Sequence, residues 1–119
     1  MEKLISLNSG GLIIEGLLDR VPGVKGAVVT HPHPLYGGNM YNPVVNAIAS
    51  AYRDKGYSTL RINFRGVGES GGKHANGIGE QEDVISALEY LKDLGITDTD
   101  LAGYSFGTFV NMGAVKKAL

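Results

Sequence analysis

Apolar residues come in short bursts separated by glycine-rich breaks, and the bursts alternate between two periods. Residues 3–7 and 12–18 are apolar runs joined by Asn8-Ser9-Gly10-Gly11, a pattern that predicts a β-hairpin. Val21-Pro22-Gly23 reads as a turn. Residues 24–30 predict a third strand, apolar enough at its end to be buried on both faces. A Pro- and Gly-rich loop spans 31–41, and Asn42-Pro43 then reads as an N-cap with proline at the first helical position. Val44, Val45, Ile48, Ala51 and Tyr52 follow at helical spacing, and Gly56 ends that helix. Residues 57–64 alternate through Leu60, Ile62 and Phe64, which predicts a fourth strand. After a long loop over 65–77, residues 78–94 predict a helix with Val84, Ile85, Leu88 and Leu91 on one face. Residues 96–104 hold a fifth strand around Asp100-Leu101-Ala102-Gly103-Tyr104, and 106–119 read as a last helix through Phe109, Val110, Met112 and Val115.

The resulting order is β-β-β-α-β-α-β-α. Strands alternating with helices imply parallel pairing, right-handed crossovers and helices on both faces of the sheet. The expected architecture is a three-layer α/β/α sandwich whose mostly parallel sheet carries an antiparallel N-terminal hairpin. No linker or shift of composition divides the chain, so residues 1–119 read as a single domain.

Composition narrows the function classes. The net charge is −1, from 11 basic and 12 acidic residues, and no basic run exceeds Lys116-Lys117. That leaves no electrostatic footprint for nucleic acid. The chain has no cysteine, which excludes a disulfide framework and thiolate metal ligation. No apolar stretch resembles a signal peptide or a membrane span, so no membrane partner and a cytoplasmic setting are expected. The 18 glycines cluster where apolar runs end, as turns and close backbone approaches require.

Three segments carry candidate chemistry. Gly103-Tyr104-Ser105-Phe106-Gly107 is a G-x-S-x-G string at the junction of a predicted strand and a predicted helix. A sharp turn there lifts the serine hydroxyl above the sheet, and glycines two before and two after avoid collision with neighbouring elements. The helix N-terminus adds backbone N–H groups and a positive dipole end. The plain alternative is a strand-to-helix turn with a capping serine. The loop His31-Pro32-His33-Pro34-Leu35-Tyr36-Gly37-Gly38 follows the third strand, where a second oxyanion donor is expected. Pro32 and Pro34 have no N–H, which leaves His31, His33 or Leu35 as donor. His31 and His33 could alternatively be metal ligands, but no cysteine or nearby third ligand supports them. His31 reads more simply as a hydrogen-bonded core histidine. Gly66-Val67-Gly68-Glu69-Ser70-Gly71 matches a dinucleotide fingerprint literally. Its context does not fit, because no helix opens at the third glycine and the preceding strand is the fourth.

Together, residues 31–38, Arg61 to Ser70 with its Arg65-Gly66-Val67-Gly68 core, and 103–107 resemble the small, lidless α/β-hydrolases related to dienelactone hydrolase. The helix from Gly79-Glu80-Gln81-Glu82-Asp83 through Leu91 is similar to that family too. The resemblance covers essentially the whole chain. It implies strand order 1-2-4-3-5, Ser105 as nucleophile on an ester or related acyl substrate, an oxyanion hole made by the backbone N–H groups of Phe106 and His33, and no cofactor. There is one large departure. The family triad continues from serine to an Asp or Glu and then a His, yet the 14 residues after Ser105 contain none of these. Either the chain is truncated, or it uses an upstream base, His74 or His33, or a second chain completes the site. The alternatives to an active hydrolase are a catalytically incomplete half-domain that associates with another chain, and a nucleotide-binding module at Gly66 to Gly71. The fifth strand would be interior in the family and becomes an edge here. A homodimer or larger assembly through that edge is therefore expected, with Phe109, Val110 and Val115 left exposed beside it.

Overall fold

The computed structural model describes residues 1–118. One five-stranded sheet organises the chain in the order β1-β2-β4-β3-β5, as the resemblance implied. β1 (Glu2–Ser9) and β2 (Leu12–Asp19) form the antiparallel hairpin. Its two turn residues, Gly10 and Gly11, both have positive φ, 56° and 92°. That pairing matches the right-handed twist of the strands it joins. β2 pairs antiparallel with β4 (Ser58–Ile62). β3 (Lys25–Thr30) lies between β4 and β5 (Asp98–Gly103) and runs parallel to both.

The helices α1 (Pro43–Asp54), α2 (Glu80–Asp93) and α3 (Phe106–Ala118) make the crossovers and the outer layers. Val45 and Ala49 of α1 pack on Ala27 and Val29, on one face of β3. Val84, Ala87 and Leu91 of α2 and Val110 and Ala114 of α3 pack with Val28, Leu60 and Ile62 on the other face. The Asn42 cap is present: its side-chain oxygen accepts the N–H groups of Val44 and Val45. Leu119, the expected last residue of the final helix, lies outside the described residues.

Some expectations need correction. β4 ends at Ile62 rather than Phe64. Asn63 still donates its N–H to Glu15 O, but the Phe64 N–H goes to a side chain, His31 Nε2, and its carbonyl accepts Val67 N–H in a turn. Nor does β4 alternate between core and water, because all five of its residues are buried. Arg61 manages this by donating to Met40 O and pairing with the Glu2 carboxylate. In α1, Val44 and Ala51 face outward, and Val45 and Ala49 make the contact with the sheet. Val110 is fully buried, contrary to expectation, and Met112 is exposed. In α3 the residues against the sheet are Gly107, Val110, Asn111 and Ala114, at spacings of three and four. Phe109, Met112 and Val115 occupy the outer side of that helix.

Candidate active site

The parallel strands β3, β4 and β5 deliver three loops to one end of the sheet, the carboxyl end where open α/β sheets bind ligands. Ser105 stands between β5 and α3 and is exposed. Its φ is +58°, and only one other non-glycine residue among those described, Asn76, has a positive φ. A serine held in the left-handed region is strained by about 1–2 kcal/mol, so its surroundings must over-determine the turn. They do. Tyr104 N–H donates to Thr30 O, Gly107 N–H to Tyr104 O, and Phe109 N–H to Ser105 O. A Cβ on Gly103 would sit 2.7 Å from Thr108 N and 2.7 Å from Thr30 Oγ1. One on Gly107 would sit 2.7 Å from Thr30 O and 2.8 Å from His31 O. Both glycines are therefore spacers that let α3 start directly against the end of β3. Thr30 Oγ1 adds hydrogen-bond contacts to Asn111 Oδ1 at 3.2 Å and Ala102 O at 3.4 Å.

The loop after β3 lies beside this turn. Leu35 N–H donates to His33 Nδ1 at 3.1 Å, opening a short 3-10 turn over Pro34–Tyr36. Leu35 is therefore occupied as a donor. Among the described residues, neither the His33 N–H nor the Phe106 N–H has an acceptor. The His33 and Phe106 rings touch, with centroids 5.0 Å apart, so the two residues are neighbours.

The three histidines differ in what their ring nitrogens do. His31 is fully buried; Nδ1–H donates to Pro32 O at 2.7 Å and Nε2 accepts Phe64 N–H at 3.1 Å. Burial pushes its pKa below the ordinary imidazole value, against the opposing pull of the Pro32 carbonyl and the Glu80 charge. It is a neutral core histidine with no nitrogen left for a metal or a proton transfer. His33 accepts at Nδ1, which places the proton of its neutral ring on Nε2. His74 lies in the loop after β4 and is partly exposed; its Nδ1 is 3.1 Å from Glu80 Oε2. The His74 ring packs on His33 at 4.7 Å and on Phe106 at 5.5 Å.

Sequence reasoning missed Glu80. Its side chain is fully buried at the start of α2 and accepts Ala75 N–H and Gly77 N–H at 2.9 and 3.1 Å. A glutamate in the first helical turn behind a glycine-rich loop was the available signal, since such a carboxylate can reach back to loop amides. Asp83 was also missed as an anchor. Buried one turn later, it holds Ser9 Oγ, Arg65 N–H and the Arg65 guanidinium. The Gly66 to Gly71 loop spends its amides internally. Gly66 N–H donates to Gly71 O and Gly71 N–H to Ile13 O. Ser70 Oγ links Glu15 N–H to Asn63 O. α2 begins at Glu80, well beyond the third glycine, so the helix does not open at that glycine as a dinucleotide site requires. No group of three His, Cys, Asp or Glu residues among those described is arranged to hold a metal ion. No described helix is long and apolar enough to cross a membrane.

Solved structures resemble this arrangement over nearly its full extent. A lidless α/β serine hydrolase of Xanthomonas campestris superposes with a TM-score of 0.89 at 34% identity, over 98% of this chain. An α/β serine hydrolase homologue from Coxiella burnetii gives 0.85 at 36% identity, also over 98%. This chain has the α/β-hydrolase fold. It spans about half the length of those relatives, 56% of each. An uncharacterized protein of Rickettsia prowazekii is 45% identical over 98 residues, which is 81% of this chain and 41% of that protein. No family model matches this chain. Est1E of Butyrivibrio proteoclasticus, solved with ferulic acid bound, shares the fold at 22% identity and a TM-score of 0.85.

Proposed function

We propose that this chain is a serine hydrolase acting on an ester or related acyl substrate. Ser105 is the nucleophile, and the N–H groups of Phe106 and His33 hold the oxyanion. The observation that carries the reading is the +58° φ of Ser105 in a turn whose flanking glycines have no room for a side chain. Strain of this kind persists where it has a use, and here it exposes a hydroxyl above the sheet at a helix N-terminus. Neither N–H has an acceptor among the described residues, and the two residues' rings touch, which suits a shared role at the developing negative charge of an attacked carbonyl. No cofactor enters the scheme, and the proposed setting is the cytoplasm. A fluorophosphonate should label the protein, and Ser105→Ala should abolish labelling. Equal labelling of the alanine variant would sink the assignment.

A second reading has its own observation. β5 is an edge, bonded only to β3. Beside it a groove of about 560 Å³ is lined by Leu101, Ala102, Met112 and Val115 among others. An edge with unpaired backbone groups is a template for strand pairing, and Asp98 and Asp100 charge only the start of this one. Two copies joined antiparallel through β5 would make one continuous sheet and cover the groove. Such a chain would be a half-domain whose site is completed by association. Light scattering at micromolar concentration should then report a dimer or larger species. A 12.6 kDa monomer, stable to dilution, would refute it.

A further inference from the structure

We infer that two copies of this chain pair antiparallel through β5 in one register, with the two-fold axis at Leu101. The inference deepens the association reading above and rests on it, and the serine chemistry does not enter. The backbone of β5 fixes which of its groups are free. Asp98 N–H donates to Val24 O and Tyr104 N–H to Thr30 O, so the even-numbered residues of the strand turn toward β3. Peptide groups alternate in direction along a strand. The N–H and C=O groups of Thr99, Leu101 and Gly103 therefore point to the open edge. In an antiparallel pair, two such outward residues face each other and exchange both hydrogen bonds. An axis at Leu101 sets Leu101 against its own copy and Thr99 against the copy's Gly103, so every outward group is used.

Charge and strand length select this register over its neighbours. With the axis at Leu101, Asp100 faces the copy's Ala102 and Asp98 faces its Tyr104. Moving the axis to Thr99 or Asp100 sets aspartates directly against each other, which destabilises a cross-strand pair. Moving it to Ala102 or Gly103 puts Thr99 opposite Ser105 or a residue beyond it, where the chain has left the strand.

The groove beside the edge completes the contact. Thr108, Asn111, Met112 and Val115 line it from α3 at helical spacing, and Leu101 lines it from the sheet. Met112 and Val115 are 61% and 46% exposed. A two-fold axis through the sheet puts both α3 helices on one face and runs them antiparallel, so these stripes meet. Asn111 is only 6% exposed; its Oδ1 accepts the Thr30 hydroxyl, and its Nδ2 has no partner among the described residues. That amide is a donor left on the groove wall. On the opposite face Asp100 shares a cleft with Lys55, a counter-charge for the carboxylate once the edge is covered. The register also puts the two Ser105 turns at opposite ends of the interface. Each turn then neighbours the start of the copy's β5, with its Asp98, and not the copy's serine.

The chain has no cysteine, so introduced thiols report the register directly. Asp100→Cys and Ala102→Cys are made separately and incubated in a glutathione redox buffer, alone and mixed. Facing residues that do not bond each other have Cα atoms about 4.5 Å apart, within disulfide range. The mixture should form a disulfide-linked dimer at least about tenfold faster than either variant alone, because only there do two thiols face each other. Met112→Lys sets like charges against each other between the α3 helices and should raise the dissociation constant, read by light scattering, at least about tenfold. A dimer whose mixture cross-links no faster than the single variants overturns the register and leaves association standing. An unchanged dissociation constant in Met112→Lys overturns the meeting of the α3 stripes. A monomer stable to dilution overturns both the register and the association reading.

Discussion

Substituting Gly107 by alanine tests the physical account of the serine turn without touching the serine. The added Cβ would lie 2.5 Å from Thr30 Oγ1, 2.7 Å from Thr30 O and 2.8 Å from His31 O. Ordinary contact begins near 3.4 Å, so these atoms must separate by about 0.6–0.9 Å. The threonine hydroxyl could turn aside, though it would give up its contacts with Asn111 and Ala102. The two carbonyls cannot. Thr30 ends the central strand β3, bonded to β4 on one side and β5 on the other, and the neighbouring His31 is buried. Gly107 does not have positive φ, so the penalty is steric and not conformational. Overpacking of this sort costs about 1–3 kcal/mol, and the rigid partners place this case at the upper end. Urea unfolding should show a loss of roughly 2–3 kcal/mol with little change in slope. Fluorophosphonate labelling of Ser105 should fall too, because α3 and the turn move together. Gly71→Ala is the control. It also lacks positive φ, and its added Cβ would meet only Ile13 backbone atoms at 3.6 and 3.7 Å. Stability there should be unchanged or slightly raised. A Gly107→Ala loss within about 0.5 kcal/mol of that control would refute the reasoning, because surface substitutions alone vary that much.

Ser105→Gly should relieve the left-handed strain and raise stability by up to about 1 kcal/mol in thermal or urea unfolding while abolishing labelling; a loss of stability would mean that the turn is not strained. His31 sets a pH limit on the fold. Burial depresses its folded pKa, so the unfolded chain takes up the proton first as pH falls. Its contribution is therefore fully present above the ordinary imidazole value of about 6.5 and declines as pH drops below it. Urea midpoints should decrease from pH 7 to 5, and His31→Gln should flatten that dependence; parallel curves would contradict the assignment.

The element order and the serine turn were legible because both depend on short-range chemistry, whereas the strand order came from the family resemblance. A strand, a G-x-S-x-G string and a helix are contiguous, and the glycines of that string have a steric reason that can be stated before any contact is known. The role of His31 was legible for a similar reason, since it directly follows an apolar strand. The histidine loops were not. His33 and His74 are 41 positions apart in the numbering, and only the fold brings their rings together over Phe106. What separates them is the neighbour of each Nδ1, Leu35 N–H in one case and the Glu80 carboxylate in the other. The phase of α3 was also hidden. Phe109 and Val110 are adjacent and both apolar, and only the direction in which the helix leaves the turn decides which is buried. Arg61 and Glu80 show the same limit: each is a charged residue whose burial depends on partners supplied by distant elements.

The open side of this fold adjoins a core that is already covered. The two central strands, β4 and β3, are covered on both faces, by α1 on one and by α2 and α3 on the other. Leu101 of β5 packs against the cluster on the α2 and α3 side, so the edge strand shares that core. The groove along β5 involves the half-buried residues Leu101 and Ala102 and the outer surface of α3. Whatever covers that groove adds to an existing core and does not create one. The chemistry adjoins the same groove. Ser105, Phe106, His33 and His74 all sit at the carboxyl ends of the parallel strands, and the Ser105 turn is braced by Thr30 through Asn111. Gly103 and Thr108 of that turn, and Asn111 itself, line the groove. Association through β5 would therefore bear on the Ser105 turn as well as on the groove, and the labelling rate of Ser105 should change with protein concentration if copies pair there.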